Sequence, residues 1–213
     1  MSLPARYRFP CVALLVILLA PTALSGTGTP STTALPPAAA SSIVIGFVGG
    51  FVSHDSPKHG PVKLAQSLSK DAASGAHIEV FENRRRRRAF QTVVRLLDAN
   101  HDGVLSESEK AGARIILFGH SWGASAVVML ARELRRAGIP VLLTVQVDSV
   151  AKLWQNDSVI PDNVAEAVNY YQPHGIVHGR ARITAQDPSK TQILGNHMVD
   201  YKKAPVGCAE NSW

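Results

Sequence analysis

The chain has 213 residues, of which 46% are hydrophobic and 18% charged, and its formal net charge is +6. That length suits one domain plus an export segment, and that apolar content can fill a core without disulfide support. The positive charge allows weak attraction to anionic surfaces, but its lack of interleaved aromatics gives no sign of a nucleic-acid reader, so no nucleic-acid partner is expected.

Residues 1–25 read as a signal peptide. Arg6 and Arg8 supply a positive start, residues 11–20 form an apolar run short for a membrane span, and Ala23-Leu24-Ser25 offers a cleavage site. Export is the expectation, with the protein secreted or periplasmic; an uncleaved N-terminal membrane anchor is the alternative. Cys11 is badly placed for lipid attachment. Cys208 is the other cysteine of the chain, so a mature monomer would form no internal disulfide. Residues 26–42 are rich in Gly, Thr, Ser, Pro and Ala and read as a disordered linker. The folded domain is expected over 43–213.

Within it, apolar runs of strand length alternate with helical patterns. Strands are expected over 43–51, 77–81, 113–118 and 141–147. Helices are expected over 62–69, 85–97 and 124–137, the last stopped by Gly138 and Pro140. A helix over 163–170 and strands over 176–183 and 192–199 complete the reading. Apolar strands alternating with helices predict a three-layer α/β domain with a mostly parallel sheet.

Gly119-His120-Ser121-Trp122-Gly123 fits G-x-S-x-G between a buried strand and an amphipathic helix. That context is what a nucleophile elbow requires, because the turn needs small flanking residues to lift the serine clear of the sheet. The rival is a helix N-terminus that Ser121 merely caps.

These elements resemble the central part of the α/β-hydrolase superfamily, especially its small lipase- and thioesterase-like members, over 43–150. The resemblance implies Ser121 as nucleophile and the Trp122 backbone N–H as one oxyanion donor. Gly-Gly-Phe after the first strand implies a second donor at Phe51, with Gly50 as the fallback. Asp148 matches the acid that some members carry after the strand following the elbow helix; a turn-capping carboxylate is the other reading. The general base is expected at His197, ahead of His178 and His174. The family usually has a helix after that histidine, whereas here only the polar stretch 198–213 follows, so a shortened relative is the alternative.

A second motif runs from Asp98 to Glu109 and matches the twelve-residue EF-hand loop. Asp98, Asn100 and Asp102 provide side-chain oxygens, Gly103 permits the sharp turn, Val104 gives its carbonyl, and Ser106 and Glu109 close the set. Hard oxygen donors suit Ca²⁺. An acidic surface turn would mimic the pattern. The exiting helix has room for about one turn and no second loop pairs with this one, so the ion is read as structural rather than switching. It should lie about 15–20 Å from Ser121, at the opposite end of the strand.

Arg84 to Arg88 is a run of five arginines at a helix start, read as a solvated basic face or a contact for anionic surfaces. Trp154, Tyr170 and Tyr171 would line an acyl pocket or lid, or pack in the core. The expected function is an exported serine hydrolase of small-molecule or lipid esters or thioesters, with structural calcium. The alternative is a non-catalytic calcium-binding protein on an inactive or truncated hydrolase scaffold.

Overall fold

A computed structural model describes residues 42–71, 75–174 and 178–200. The expected signal peptide, nearly all of the linker, both cysteines and the stretch 201–213 lie outside the described residues. Among the described residues, no helix is long and apolar enough to cross a membrane.

In chain order the elements are β1 (Ile43–Val48), α1 (Gly60–Asp71), β2 (His77–Glu82), α2 (Arg86–Leu97), α3 (Glu107–Ala111), β3 (Ile115–His120) and α4 (Trp122–Arg136). They continue with β4 (Val141–Val147), β5 (Val159–Ile160), β6 (Val164–Tyr171), β7 (Thr184–Ala185) and β8 (Gln192–Met198). Six strands form one sheet in the order β2-β1-β3-β4-β6-β8, and every neighbouring pair is parallel. β5 and β7 pair separately.

Strand alternation sorts the core onto two faces. Ile43, Ile45 and Phe47 of β1 and Ile115 and Leu117 of β3 join a cluster with Ala89 and Val93 of α2 and Val127, Leu130 and Leu134 of α4. Val44 and Val48 of β1 and Phe118 of β3 face the other way, against Val62 and Ala65 of α1. Helices therefore cover both faces of the β2-β1-β3 half, which gives the three layers. Leu130 and Leu134 are fully buried, each contributing about 2 kcal/mol by area removed from water.

The structure corrects the expected helix over 163–170, which is strand β6. Its side chains at Val164, Ala167, Val168 and Asn169 are buried, and six residues of β4 find register partners in it. A short run with apolar residues three or four apart suits either period, and here the open edge of β4 decides it. The strand expected over 176–183 is also absent as far as it is described, since 178–183 is irregular and only Thr184–Ala185 pairs.

Candidate active site

The turn between β3 and α4 carries Ser121 at φ 56° and ψ −124°, a backbone region that L-residues rarely occupy. Close packing around it explains the glycines. A Cβ on Gly119 would lie 2.5 Å from the Gly123 carbonyl carbon, and one on Gly123 would lie 2.7 Å from the Phe47 carbonyl carbon. Sheet and helix meet backbone to backbone there, and no side chain fits between them. The Ser121 N–H donates to the Val147 carbonyl at 2.9 Å, while its own carbonyl accepts from Ala124 and Val150. The Ser121 side chain makes no capping hydrogen bond. The turn thus holds the hydroxyl free at the N-terminus of a fifteen-residue helix, where the helix dipole favours negative charge.

Against this turn lies Gly49, whose Cβ position falls 3.0 Å from the Ser121 Cβ. Gly49 opens a tight turn closed by the Val52 N–H on its carbonyl at 3.2 Å, with Gly50 at φ +44°. Phe51 is 88% exposed and meets the Trp122 ring edge to face at 5.4 Å between centroids. Among the described residues, no loop or cap carbonyl accepts the N–H groups of Gly50, Phe51 and Trp122. The structure therefore brings Ser121, Trp122 and Phe51 to one place.

Asp148 follows β4 directly at φ 47° and is buried. Its N–H donates to Tyr170, and its Oδ1 accepts the Gln172 N–H at 2.7 Å, so the carboxylate ties the ends of β4 and β6 together. It stands one residue beyond Val147, the strand partner of His120. The His120 ring is held below its ordinary pKa by burial, with Asp148 pulling it up and His59 pushing it down.

His197 is not brought to Ser121. It lies inside β8 opposite Tyr170, which is opposite Val147, which is opposite His120. Three strand spacings separate the two, about 14 Å across the sheet. The His197 ring stacks on Tyr170 at 5.2 Å. His174 and His178 are exposed, and among the described residues no histidine ring hydrogen-bonds the Ser121 hydroxyl. Trp154 is 98% exposed, so it is no core residue, and Tyr170 and Tyr171 are half-buried. In the arginine run, Arg86 pairs with Glu133 of α4 at 2.7 Å, while Arg84, Arg85, Arg87 and Arg88 are exposed.

At the other end of β3, the loop 98–109 is folded by its own oxygens. Asp98 accepts from the Asp102 and Gly103 N–H groups, Asn100 Oδ1 also accepts from Asp102, and Asp102 accepts from Val104. Gly103 has φ +80°. Ser106 caps α3 in a capping box with Glu109. Glu109 also reaches back to the Ala99 N–H at 2.8 Å and so joins both ends of the loop. Hydrogen bonds from the Ser106 hydroxyl and N–H, then from Ala99, hold its carboxyl at about 2. Among the described residues, no three His, Cys, Asp or Glu side chains suffice to hold a metal by themselves. The loop's donor set is instead mixed: carboxylates, an amide, a hydroxyl and a carbonyl. All are hard oxygens, the donor type that Ca²⁺ prefers, and here the carboxylates among them bond the loop's own N–H and hydroxyl groups.

Two groupings escaped the sequence reading. Asp157 is fully buried, forms an ion pair with Arg180 and accepts from the Ser149 hydroxyl at 2.6 Å. Asn83, also buried, bonds the Gly50 carbonyl at 2.6 Å. Neither carries a local motif. A concavity lined by Arg182, Thr184, Thr191 and Asn196 lies away from Ser121.

No protein-family model matches the chain, and no curated protein matches it. Among solved structures it is similar to a Xanthomonas campestris protein assigned to the alpha/beta hydrolase superfamily, at 13% identity and a TM-score of 0.40, covering 68% of this chain and 86% of that one. It is also similar to RedJ, a thioesterase from the prodiginine biosynthetic pathway of Streptomyces coelicolor, at 13% identity and a TM-score of 0.38, covering 82% and 87% of the two chains.

Proposed function

We propose that the chain is an exported serine hydrolase of esters or thioesters, with calcium held by the loop 98–109. The observation that carries this reading is Ser121 itself, held at φ 56° and ψ −124° with an uncapped hydroxyl between a buried strand and a helix N-terminus. Strain of that kind survives only where the surroundings impose it, and Gly119 and Gly123 do so here. The Ser121 oxygen would attack the substrate carbonyl and form an acyl-enzyme, with its proton passing through a general base to the departing alcohol or thiol; the described position of His197 does not supply that base. The Trp122 and Phe51 N–H groups would hold the oxyanion, and Asp148 would orient the base. Asp98, Asn100, Asp102, Val104, Ser106 and Glu109 would hold the ion, whose part is to fix the connection that delivers β3. The substrate would be a small-molecule or lipid ester, and Arg84 to Arg88 would add weak attraction to an anionic surface.

A fluorophosphonate probe should label Ser121 in the wild-type chain and leave Ser121→Ala unlabelled. Folded, calcium-loaded protein that resists the probe would sink the hydrolase reading. It would instead favour a calcium-binding domain on a non-catalytic scaffold, a second reading supported by the placement of His197 three strands from the elbow.

A further inference from the structure

β2 ends at Glu82, opposite Val48, the last residue of β1. Asn83 is the next residue, so it stands beside the Gly49–Val52 turn. It is only 6% exposed, and a buried amide is costly unless both its ends are bonded. Both are. Nδ2 donates to the Gly50 carbonyl at 2.6 Å and reaches the Val48 carbonyl at 3.5 Å, while Oδ1 accepts from Lys152 Nζ at 2.5 Å. Lys152 in turn sits over the Trp122 ring, 5.1 Å from its centroid, and Trp122 meets Phe51. One amide thus connects the turn after β1, the loop after β4 and the first residue of α4.

The Gly50 carbonyl and the Phe51 N–H belong to one peptide plane. In a trans peptide the oxygen and the hydrogen point in opposite directions, and rotating one rotates the other. Holding the Gly50 oxygen on Asn83 therefore fixes the direction of the Phe51 N–H. Gly50, at φ +44°, has no side chain to resist other orientations, so without an anchor this plane is free to turn. An amide suits the position, since it donates to carbonyls with one end and accepts from an ammonium group with the other. Aspartate cannot donate, and leucine can do neither.

We infer that Asn83 is a positioning residue for the oxyanion turn: its amide clamps the Gly50–Phe51 peptide, and Lys152 locks that amide from the Trp122 side. The inference rests on the hydrolase reading for its catalytic consequence but not for its structural one. Removing an oxyanion donor outright costs about 10²–10³-fold in kcat, and a donor left in place but loosely aimed should cost less.

The test uses the full chain with p-nitrophenyl acetate and three variants, Asn83→Asp, Asn83→Ala and Lys152→Met. The two Asn83 variants should lose about 10–100-fold in kcat with KM changed less than about threefold. Lys152→Met keeps the stem and loses the lock, and should fall between them and wild type. Exchange of the Val52 amide hydrogen, which closes the turn, is measured in parallel and does not depend on turnover. It should quicken in both Asn83 variants. An active wild type whose Asn83 variants keep full kcat would overturn the inference, as would unchanged Val52 exchange. A wild type without esterase activity would overturn the hydrolase reading, and Val52 exchange would still decide whether Asn83 holds the turn.

Discussion

Gly123 on α4 and Phe47 on β1 touch through their backbones: a Cβ on the glycine would lie 2.7 Å from the Phe47 carbonyl carbon. Both residues are buried in the centre of the domain, Phe47 fully. Gly123→Ala should therefore destabilise the fold by about 1–3 kcal/mol, because neither partner is a flexible side chain that could yield. Urea unfolding measures this, and a variant within about 0.5 kcal/mol of wild type would contradict the close approach.

Calcium should raise the melting temperature, because an ion bound by the folded loop alone stabilises it by about 2.7 kcal/mol at a hundred times Kd. Asp98 accepts the two N–H groups that shape the loop's bend, so Asp98→Ala removes a proposed ligand and a folding contact together. In that variant the melting temperature should no longer respond to calcium. An equal rise in wild type and variant, or none in wild type, rules out this loop as the site.

Asp157 is fully buried between Arg180 and the Ser149 hydroxyl, and holds the loop after β4 to the segment before β7. Truncating one member of a buried pair leaves the other without its counter-charge. Asp157→Ala should cost about 3 kcal/mol, the lower end of the usual range, because the Arg180 side chain stays 35% exposed and keeps some water. Denaturant unfolding tests it; a cost below about 1 kcal/mol would mean that the pair adds little.

Burial keeps the folded-state pKa of His120 below 6.5 despite the pull of Asp148. Between the two values the unfolded chain takes up a proton that the folded chain refuses. Stability linked to His120 is accordingly intact above about pH 6.5 and is lost as the pH falls through that window. Replacing the ring, as in His120→Asn, should flatten the drop in melting temperature below pH 6.5. Parallel pH profiles for the two proteins would show that another group is responsible.

The turn at Ser121, the self-bonded loop 98–109 and most of the strand-helix alternation were legible in the sequence because each rests on short-range sterics. G-x-S-x-G brings its own turn, the loop 98–109 bonds its own backbone, and β1, β3 and β4 are short, largely apolar runs bounded by turn or helix-stop residues, as buried strands are. The stretch 163–170 was not legible because its pattern suits two periods, and the neighbouring strand edge of β4 makes the choice.

By itself, the sequence determined that Ser121 would stand at a strained turn between a strand and a helix. Tertiary structure alone decided what surrounds it: Asn83 on Gly50, Lys152 on Asn83, Arg180 on Asp157, and His197 three strands away. These partners lie 33, 69 and 23 residues apart for the first three pairs. No local preference encodes such pairings. They exist because parallel strands bring the ends of distant segments to one edge of the sheet, where a buried polar group must find a partner from another segment.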